Sequence, residues 1–484
     1  MIVSPGDLLR ILPEVVLAVF GTLIMLAEAF LPRGQKRVLG PVALTGTLVA
    51  LGAVVVQSMN RGSAFSGLVV VDNFTVFLHV LLLSITALTI LASLRYVERQ
   101  NLSPGEYYAL LLFGTIGMGL MVAANELVLV FLGLETSSIA TYVLVGFRRT
   151  ELKSNESAMK YFLLGSFATA FLLYGIALLF GATGTTFLPE ILSRLRAAAG
   201  NPIEDLALMG MALLFVGLAF KVAAAPFQIW TPDVYEGAPT PITAFLAAGP
   251  KVAAFAAFLR IFFTALEPAS STWFWIIWVS AILTMFVGNL GALVQTNMKR
   301  MLAYSSIAHA GYILIAFAAH SKLGIAAVLF YLVAYALMKL GAFSLVSHIS
   351  AGEANQSIDD YAGLHSRQPR LAACLTIFML SLIGIPLTGG FFGKFYIFTA
   401  ALDSNLIGLV ILGVVNSALS AAYYLRVVKV MYMNEPRSKT PVAPVPASLA
   451  FVLTLTALGT LYLGILPAPV LHFATNSALP VPLP

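Results

Sequence analysis

Cysteine is almost absent from the sequence, and its absence excludes several classes of function. Cys374 is the single cysteine among 484 residues, so neither a disulfide framework nor a cysteine-ligated metal or iron–sulfur site can form within the chain. The six histidines are scattered and include no pair at metal-binding or haem-binding spacing. The sequence also has neither a dinucleotide-binding glycine motif after a strand nor a phosphate-binding loop. We therefore expect no cofactor, metal or redox centre in this chain.

Charge is also scarce, and this excludes an ordinary soluble domain. Charged residues make up 10% of the chain and hydrophobic residues 60%, with a mean hydropathy of +0.94; a typical soluble domain is ~25% charged. The net charge of +6 comes from lysines and arginines in short loops between apolar segments, where membrane orientation requires them. The composition predicts a polytopic membrane protein and excludes a nucleic-acid partner.

Long apolar segments predict an all-α fold. At ~20 residues per span, the chain can hold about 14 transmembrane helices. The predicted spans are residues 9–31, 38–58, 69–94, 105–124, 126–147, 156–181, 204–224, 241–266, 272–294, 300–319, 322–350, 369–401, 405–433 and 445–471.

The distribution of basic residues predicts the orientation. The loops after spans 1, 3, 5, 9, 11 and 13 hold most of the lysines and arginines, and the loops on the opposite side hold few. The positive-inside rule therefore places the odd-numbered loops in the cytoplasm and both termini on the outer side. The loop after span 7 is an exception, because it carries Asp233 and Glu236 and no basic residue.

Five charged residues remain within the predicted spans once those in or near the loops are set aside. They are Glu135, Lys221, Lys251, Lys339 and Lys394. A charge at the centre of a membrane helix costs at least ~2.5–3.5 kcal/mol on insertion scales, so such residues are functional candidates by default.

Prolines and glycines interrupt the spans beside three of these lysines. Pro226 follows Lys221, Pro250 precedes Lys251, and Pro386 with several glycines precedes Lys394. Because proline lacks a backbone N–H and clashes with the preceding turn, we expect spans 7, 8 and 12 to be broken. Broken helices at membrane depth require protein or a watery cavity to satisfy the freed backbone groups, which predicts a hydrated site at mid-membrane.

Two pairs of ionisable residues are separated by almost the same number of residues in the sequence, which indicates an internal repeat. Lys221 and Lys394 are 173 residues apart, and Glu135 and His309 are 174 apart. If spans 4–8 recur as spans 9–13, the odd number of helices inverts the second copy. The predicted domains are an N-terminal three-helix unit at 1–103, a first five-helix repeat at 104–267, an inverted repeat at 268–435 and a C-terminal helix at 436–484.

The buried charges favour proton transfer. A lysine in a low-dielectric environment loses proton affinity and a nearby carboxylate restores it, so its protonation can be changed by moving a neighbour. We expect Glu135 to interact with Lys221, and Lys251, His309 and Lys394 to extend the series across both halves. The alternatives are a fixed ion pair between helices, a purely structural His309, and a Lys339 that snorkels or pairs with a helix end. Glu14 and Glu28 are expected at the membrane interface.

Several long motifs resemble a known family. They are P-F-Q-I-W-T-P-D-V-Y-E-G-A-P-T-P-I-T-A-F-L-A at 226–247, G-L-E-T-S-S at 133–138, K-R-M-L-A-Y-S-S-I-A-H-A-G-Y at 299–312 and G-I-P-L-T-G-G-F-F-G-K-F at 384–395. Together with Lys221 and Lys251, they resemble the antiporter-like membrane subunits of respiratory complex I, NADH:quinone oxidoreductase. The resemblance implies a glutamate–lysine pair at Glu135 and Lys221, a central lysine at Lys251 and a terminal lysine at Lys394.

The same resemblance implies which partner subunits, cofactors and membrane surround the chain. It implies K-type and M-type neighbours in a membrane arm, FMN, iron–sulfur clusters and quinone in other subunits, and a place in the bacterial cytoplasmic membrane. Gln228 departs from the family, in which a histidine is frequent there, and ferredoxin remains an alternative electron donor to NADH. The alternative functions are a subunit of a cation/proton antiporter with the same fold and a structural scaffold.

Overall fold

The computed structural model describes residues 4–32, 34–197, 203–350, 353–354, 356–436 and 443–480. Twenty α-helices account for nearly all of the regular structure within these ranges. They are α1 (Pro5–Arg10), α2 (Leu12–Phe30), α3 (Leu39–Met59), α4 (Asn73–Arg99), α5 (Pro104–Ala123), α6 (Leu127–Val145), α7 (Leu152–Thr183), α8 (Leu188–Ala197), α9 (Ile203–Val222), α10 (Trp230–Gly237), α11 (Thr240–Arg260), α12 (Ser270–Leu293), α13 (Met298–Ala318), α14 (Lys322–Ile349), α15 (Leu364–Arg367), α16 (Pro369–Ile383), α17 (Gly389–Asp403), α18 (Ile407–Met433), α19 (Ala447–Ile465) and α20 (Ala468–Ser477).

The helices confirm the multi-pass architecture. Thirteen helical segments of the described chain are long and apolar enough to cross a membrane. The twelfth predicted span is divided between α16 and α17, which are separated by residues 384–388. The seventh is also divided, because α9 ends at Val222 and α10 begins at Trp230. The predicted breaks in spans 7 and 12 are therefore confirmed.

The predicted break in span 8 is wrong. Helix α11 runs without interruption from Thr240 to Arg260, with Pro250 inside it. A proline removes one helical hydrogen bond, and this loss alone need not unwind a helix. Helix α11 is buried along its whole length among α4, α5, α9 and α14, so its neighbours hold the proline-containing turn in place.

A two-stranded hairpin precedes α4 and was not predicted. Its strands, β1 (Gly62–Ala64) and β2 (Val69–Val71), pair antiparallel. The backbone N–H of Asn125 donates to Leu68 O at 2.9 Å, so the hairpin also holds the short connection between α5 and α6.

Burial separates a central layer from a lipid-facing periphery. Almost every residue of α11 and α13 is buried, and α14 is nearly as enclosed. Helix α7, in contrast, exposes large apolar side chains such as Phe162 and Phe167. An apolar outer surface suits lipid, so the buried polar residues of the central layer require partners inside the protein.

Charged side chains cluster at one end of the bundle, here called the basic end and defined by Lys36, Arg95, Arg149, Lys299 and Arg367. The acidic connection after span 7 lies at this end, and its carboxylates are neutralised by basic residues from other elements. Asp233 contacts Lys160 at 2.8 Å and Arg300 at 2.6 Å, and Glu236 contacts Arg300 at 3.0 Å and Lys153 at 3.3 Å. The exception in the charge pattern is thus resolved by pairing across the fold.

Candidate functional site

The break in span 7 places Lys221 at the end of α9. Beyond it, the backbone groups of Ala225 are satisfied by side chains of α12: the N–H donates to Thr284 Oγ1 at 2.8 Å, and the carbonyl accepts from Ser280 Oγ at 2.9 Å. Trp230 Nε1 donates to Phe220 O at 2.9 Å. The break therefore meets the requirement for unwound backbone at membrane depth, which is internal hydrogen bonding.

Lys221 is buried and interacts with hydroxyl and aromatic groups. Its ammonium donates to Ser138 Oγ at 2.7 Å and lies 5.3 Å from the ring centre of Tyr142 and 5.5 Å from that of Tyr161. Aromatic faces attract a cation, so these rings lower the cost of burying the charge.

Glu135 lies close to Lys221 but forms no ion pair with it. Its carboxylate is half-buried on α6 and accepts from Thr169 Oγ1 at 2.8 Å. Ser138, one turn farther along α6, receives the hydrogen bond of Lys221 instead. In this structure the expected pairing of Glu135 with Lys221 is therefore not a direct contact, either as a hydrogen bond or as a fixed ion pair.

Close helix packing positions Glu135. A Cβ added at Gly117 on α5 would come within 2.5 Å of the carbonyl oxygen of Gly133 on α6, so only glycine allows this approach.

A small cavity of about 10 Å³ lies between Ser138, Lys221 and Pro250, which is close to the space that one water molecule needs.

Lys251 lies on the next helix of the series and is also held by neutral groups. Its ammonium donates at 2.6 Å to both the carbonyl and the hydroxyl oxygen of Ser306 on α13. The Ser306 hydroxyl is in turn 2.6 Å from the hydroxyl of Tyr335 on α14.

Lys339 and His309 belong to one hydrogen-bonded string. Lys339 donates to Leu302 O at 2.9 Å and to Ser305 Oγ at 2.7 Å. Ser305 contacts the hydroxyl of Tyr424 in a very short hydrogen bond, and that hydroxyl is 3.1 Å from His309 Nε2. Lys339 is fully buried, so the snorkelling alternative is wrong.

The break in span 12 holds Lys394. The ammonium donates to Ile383 O at 2.8 Å and to Ser417 Oγ at 2.8 Å, and it lies 4.6 Å from the ring centre of Tyr312. Gly390 packs against the carbonyl of Ser381, where any side chain would collide. The lysine therefore satisfies a carbonyl that the broken helix leaves free.

The structure buries five of the six predicted residues and leaves Glu135 half-buried, and it adds hydroxyl groups to the predicted set. The additional residues are Tyr142, Ser305, Ser306, Tyr331, Tyr335, Ser417 and Tyr424. Their signal in the sequence was the presence of tyrosines and paired serines within apolar spans. This signal is weak, because a hydroxyl costs a membrane helix far less than a charge.

One predicted interfacial residue is instead buried. Glu14 Oε1 lies 3.2 Å from His79 Nε2, in a cluster with Gln57 and the carbonyl of Gly119. The prediction was wrong because α3, α4 and α5 enclose this end of α2, which the local sequence does not reveal. Gln228 is half-buried within the break of span 7. Within the described ranges, no three His, Cys, Asp or Glu side chains converge in a way that could hold a metal ion.

Comparisons with known proteins agree with this architecture. The membrane domain family described as NADH:quinone oxidoreductase/Mrp antiporter matches residues 124–420. The chain is 53% identical over 479 residues to NADH-quinone oxidoreductase subunit N 1 of Solibacter usitatus, which covers 98% of each chain.

Solved structures give the same result. A chain of respiratory complex I from Thermus thermophilus, solved with bound aureothin, is 35% identical and has a TM-score of 0.82, covering 96% of this chain and 99% of that one. A chain of the Mrp complex from Dietzia is 21% identical with a TM-score of 0.85, covering 98% and 97%, and shares the fold. The chain therefore belongs to the family of antiporter-like membrane subunits found in NADH:quinone oxidoreductases and Mrp antiporters.

Proposed function

We propose that the chain is a proton-translocating, N-type membrane subunit of an NADH:quinone oxidoreductase, in which quinone reduction elsewhere in the complex drives proton transfer along a buried axis. The observation that carries this proposal is the string of lysine, serine, tyrosine and histidine groups inside a membrane-spanning bundle, linked by the hydrogen bonds of Lys339, Ser305, Tyr424 and His309.

The chemistry of these groups suits proton transfer. A lysine amine takes up or releases one proton, and serine and tyrosine hydroxyls both donate and accept hydrogen bonds. We assign Lys221 with Glu135 to the start of the axis, Lys251, His309 and Lys339 to its centre, and Lys394 to its end.

The proposal includes an inverted repeat of two five-helix units. Each proposed five-helix unit, 104–267 and 268–435, contains one broken span that ends beside a buried lysine, Lys221 or Lys394. In addition, α6 and α13 each begin at a side-chain cap, from Glu126 and Asn297. These correspondences support an inverted repeat around the axis.

The relatives supply the proposed setting. Because the Solibacter relative is named a subunit of NADH-quinone oxidoreductase, we place this chain among the membrane subunits of such a complex, with K-type and M-type neighbours. FMN, iron–sulfur clusters and quinone would belong to other subunits, and this chain would contribute translocase activity only. The positive-inside rule places the basic end in the cytoplasm of a bacterial inner membrane and both termini outside.

Substitution of the axis lysines in the assembled complex tests the proposal. Lys221→Ala and Lys251→Ala should lower NADH-driven proton pumping in inside-out membrane vesicles and, through coupling, quinone reduction. Lys322→Ala is the matched control, because Lys322 is exposed at the opposite end of the bundle. If the assembled variants pump as many protons per NADH oxidised as the wild type, these residues are not part of the pathway.

The second candidate is a subunit of a cation/proton antiporter that works without electron transfer. The TM-score of 0.85 to an Mrp chain favours it as the alternative. Mild purification distinguishes the two functions. Flavin-containing and iron–sulfur subunits that co-purify with the chain support the oxidoreductase, whereas sodium-dependent proton exchange in their absence supports the antiporter.

A further inference from the structure

A buried ion pair at the basic end is not part of the predicted axis. Lys299, in the first turn of α13, donates to Glu353 Oε2 at 2.9 Å and to Ala238 O at 2.7 Å. The side chains are 0% and 5% exposed, respectively. A surface ion pair contributes little to stability, but a pair enclosed in this way carries a large desolvation cost, which calls for a physical explanation.

Glu353 is held by three other residues besides Lys299. Thr240, the first residue of α11, donates to its carboxylate from both its backbone N–H, at 2.8 Å, and its hydroxyl, at 2.6 Å. The Tyr96 hydroxyl of α4 donates at 3.0 Å, and Gln356 Nε2 at 3.1 Å. The pair therefore joins the ends of the helices that carry Lys251 and His309.

The pair lies beside a polar cavity that opens at the basic end. The cavity has a volume of about 530 Å³, and Glu353 contributes to its lining. The lining also includes Arg148, Glu151, Glu236 and Gln356. Water in this cavity can thus reach the edge of the ion pair, while the packed helices above it exclude bulk solvent.

One face of α13 leads from the pair to the axis. Lys299, Leu302, Ser306 and His309 follow at intervals of three or four residues, which places them in a row along the helix. Lys339 donates to Leu302 O and Lys251 to Ser306, so the row meets two axis lysines. Ten residues of helix rise ~15 Å, about half of the ~30 Å hydrocarbon core. The row therefore reaches from the basic end to mid-membrane.

From this arrangement we propose that Lys299 is the proton-loading residue of a passage that joins the basic-end cavity to the buried axis, with Glu353 as its counter-charge. The proposal rests on the proton-translocating function proposed above. In each cycle one N–H bond of the Lys299 ammonium breaks and one N–H bond forms on the neutral amine of Lys339, which donates to Leu302 O, one turn beyond Lys299 on α13. The resulting Lys299 amine then takes a proton from water in the cavity, so that one N–H bond forms as one O–H bond breaks, and the hydroxide left behind is neutralised by the buffer to which the cavity opens.

The charges around Glu353 are consistent with a fixed counter-charge. Burial would raise the pKa of Glu353, but the Lys299 ammonium and the hydrogen bonds from Thr240 outweigh it and hold the pKa below its ordinary value of 4.5. Glu353 therefore stays ionised at neutral pH. The other titratable or charged groups near the pair are Tyr96, Arg148, Glu236 and Tyr361.

The sharpest variant is Lys299→Arg in the intact complex. Arginine keeps the positive charge beside Glu353 but does not release its proton in proteins. In inside-out vesicles, where the basic end faces the buffer, we expect NADH-driven pumping to fall by roughly tenfold or more, as for the loss of a positioned proton-transfer group. Glu151→Gln is the matched control, because Glu151 lines the same cavity but its side chain is 52% exposed.

A double variant provides a second test if Lys299→Arg does not fold. Lys299→Met/Glu353→Gln removes both charges, which a buried pair tolerates better than the loss of one. Proton uptake directly from water should then limit pumping, so that its rate increases in proportion to the proton concentration in the buffer. Acid inside the vesicles should have no such effect. A purely structural pair would show no dependence on the side of acidification.

Lys251→Ala in the same vesicles separates the two proposals. If Lys251→Ala does not pump while both Lys299 variants pump like the wild type, the passage is wrong and the proton-translocating function stands. The loading role of Lys299 is overturned if acid restores proton pumping by the double variant only when it is applied inside the vesicles. It is also overturned if acid on neither side restores pumping. If Lys251→Ala pumps at the wild-type ratio, the proposed function itself fails.

Discussion

At the scale of single residues, the buried lysines of the axis share one kind of partner. Lys221, Lys251, Lys339 and Lys394 donate to serine hydroxyls or backbone carbonyls, and among the described residues no carboxylate contacts any of them. A neutral partner can hydrogen-bond either an ammonium or an amine, so loss of the proton leaves no unpaired carboxylate behind. Lys299, paired with Glu353, is the exception and lies at the edge of the axis.

The hydroxyl of Tyr424 links two members of the axis, and its removal gives a residue-scale prediction. Tyr424→Phe deletes the group between Ser305 and His309 while keeping the ring. We expect the proton-pumping rate to fall severalfold with little loss of assembled complex, measured in inside-out vesicles. Tyr107→Phe is the control, because it removes a similarly buried hydroxyl bonded to Ser93, outside the axis. Equal pumping by both variants would contradict the link.

At the scale of elements, the broken spans depend on side chains from neighbouring helices. The unwound backbone of Ala225 is satisfied by Thr284 and Ser280 of α12, and the carbonyl of Ile383 by Lys394 and Ser417. Local sequence predicted where these helices break, because Pro226 and the glycines near Pro386 act locally. It did not predict that α11 continues through Pro250, because that depends on the packing around α11.

The hydroxyl of Thr284 provides the test at this scale. Thr284→Val keeps the shape of the side chain but leaves the buried N–H of Ala225 without its acceptor, at a cost of about 1–3 kcal/mol. We expect a lower thermal unfolding temperature of the purified complex and less of it in the membrane. Thr89→Val is the control, since the Thr89 hydroxyl bonds only within its own helix, to Ile85 O. If the break does not depend on the Thr284 hydroxyl, the two variants will have the same thermal unfolding temperature.

At the scale of the whole molecule, charge is distributed unequally between the two ends of the bundle. The basic end collects ion pairs from many elements, including the pairs of Asp233 with Lys160 and Arg300. Their positions in the chain predicted an orientation with this end in the cytoplasm. The fold adds that the acidic connection after span 7 is neutralised there.

The orientation is testable with introduced cysteines. In a Cys374→Ser background, Lys153→Cys at the basic end should react with a membrane-impermeant thiol reagent in inside-out vesicles. Lys322→Cys, at the opposite end, should react only in right-side-out vesicles. Both lysines are exposed, so access is set by the side of the membrane. The reverse pattern would overturn the orientation and place the cavity beside Lys299 on the outer face.

The sequence by itself determined the membrane-spanning class, the number of spans, two of the breaks and the identity of the buried charges, because hydrophobicity, proline and charge act over a few residues of one helix. The tertiary structure decided what those charges touch. Ser305 and Tyr424 are 119 residues apart and Lys299 and Glu353 are 54 apart, so their contacts exist only after the helices pack. A hydrogen-bonded path through a membrane depends on such contacts between helices, which no single span can encode.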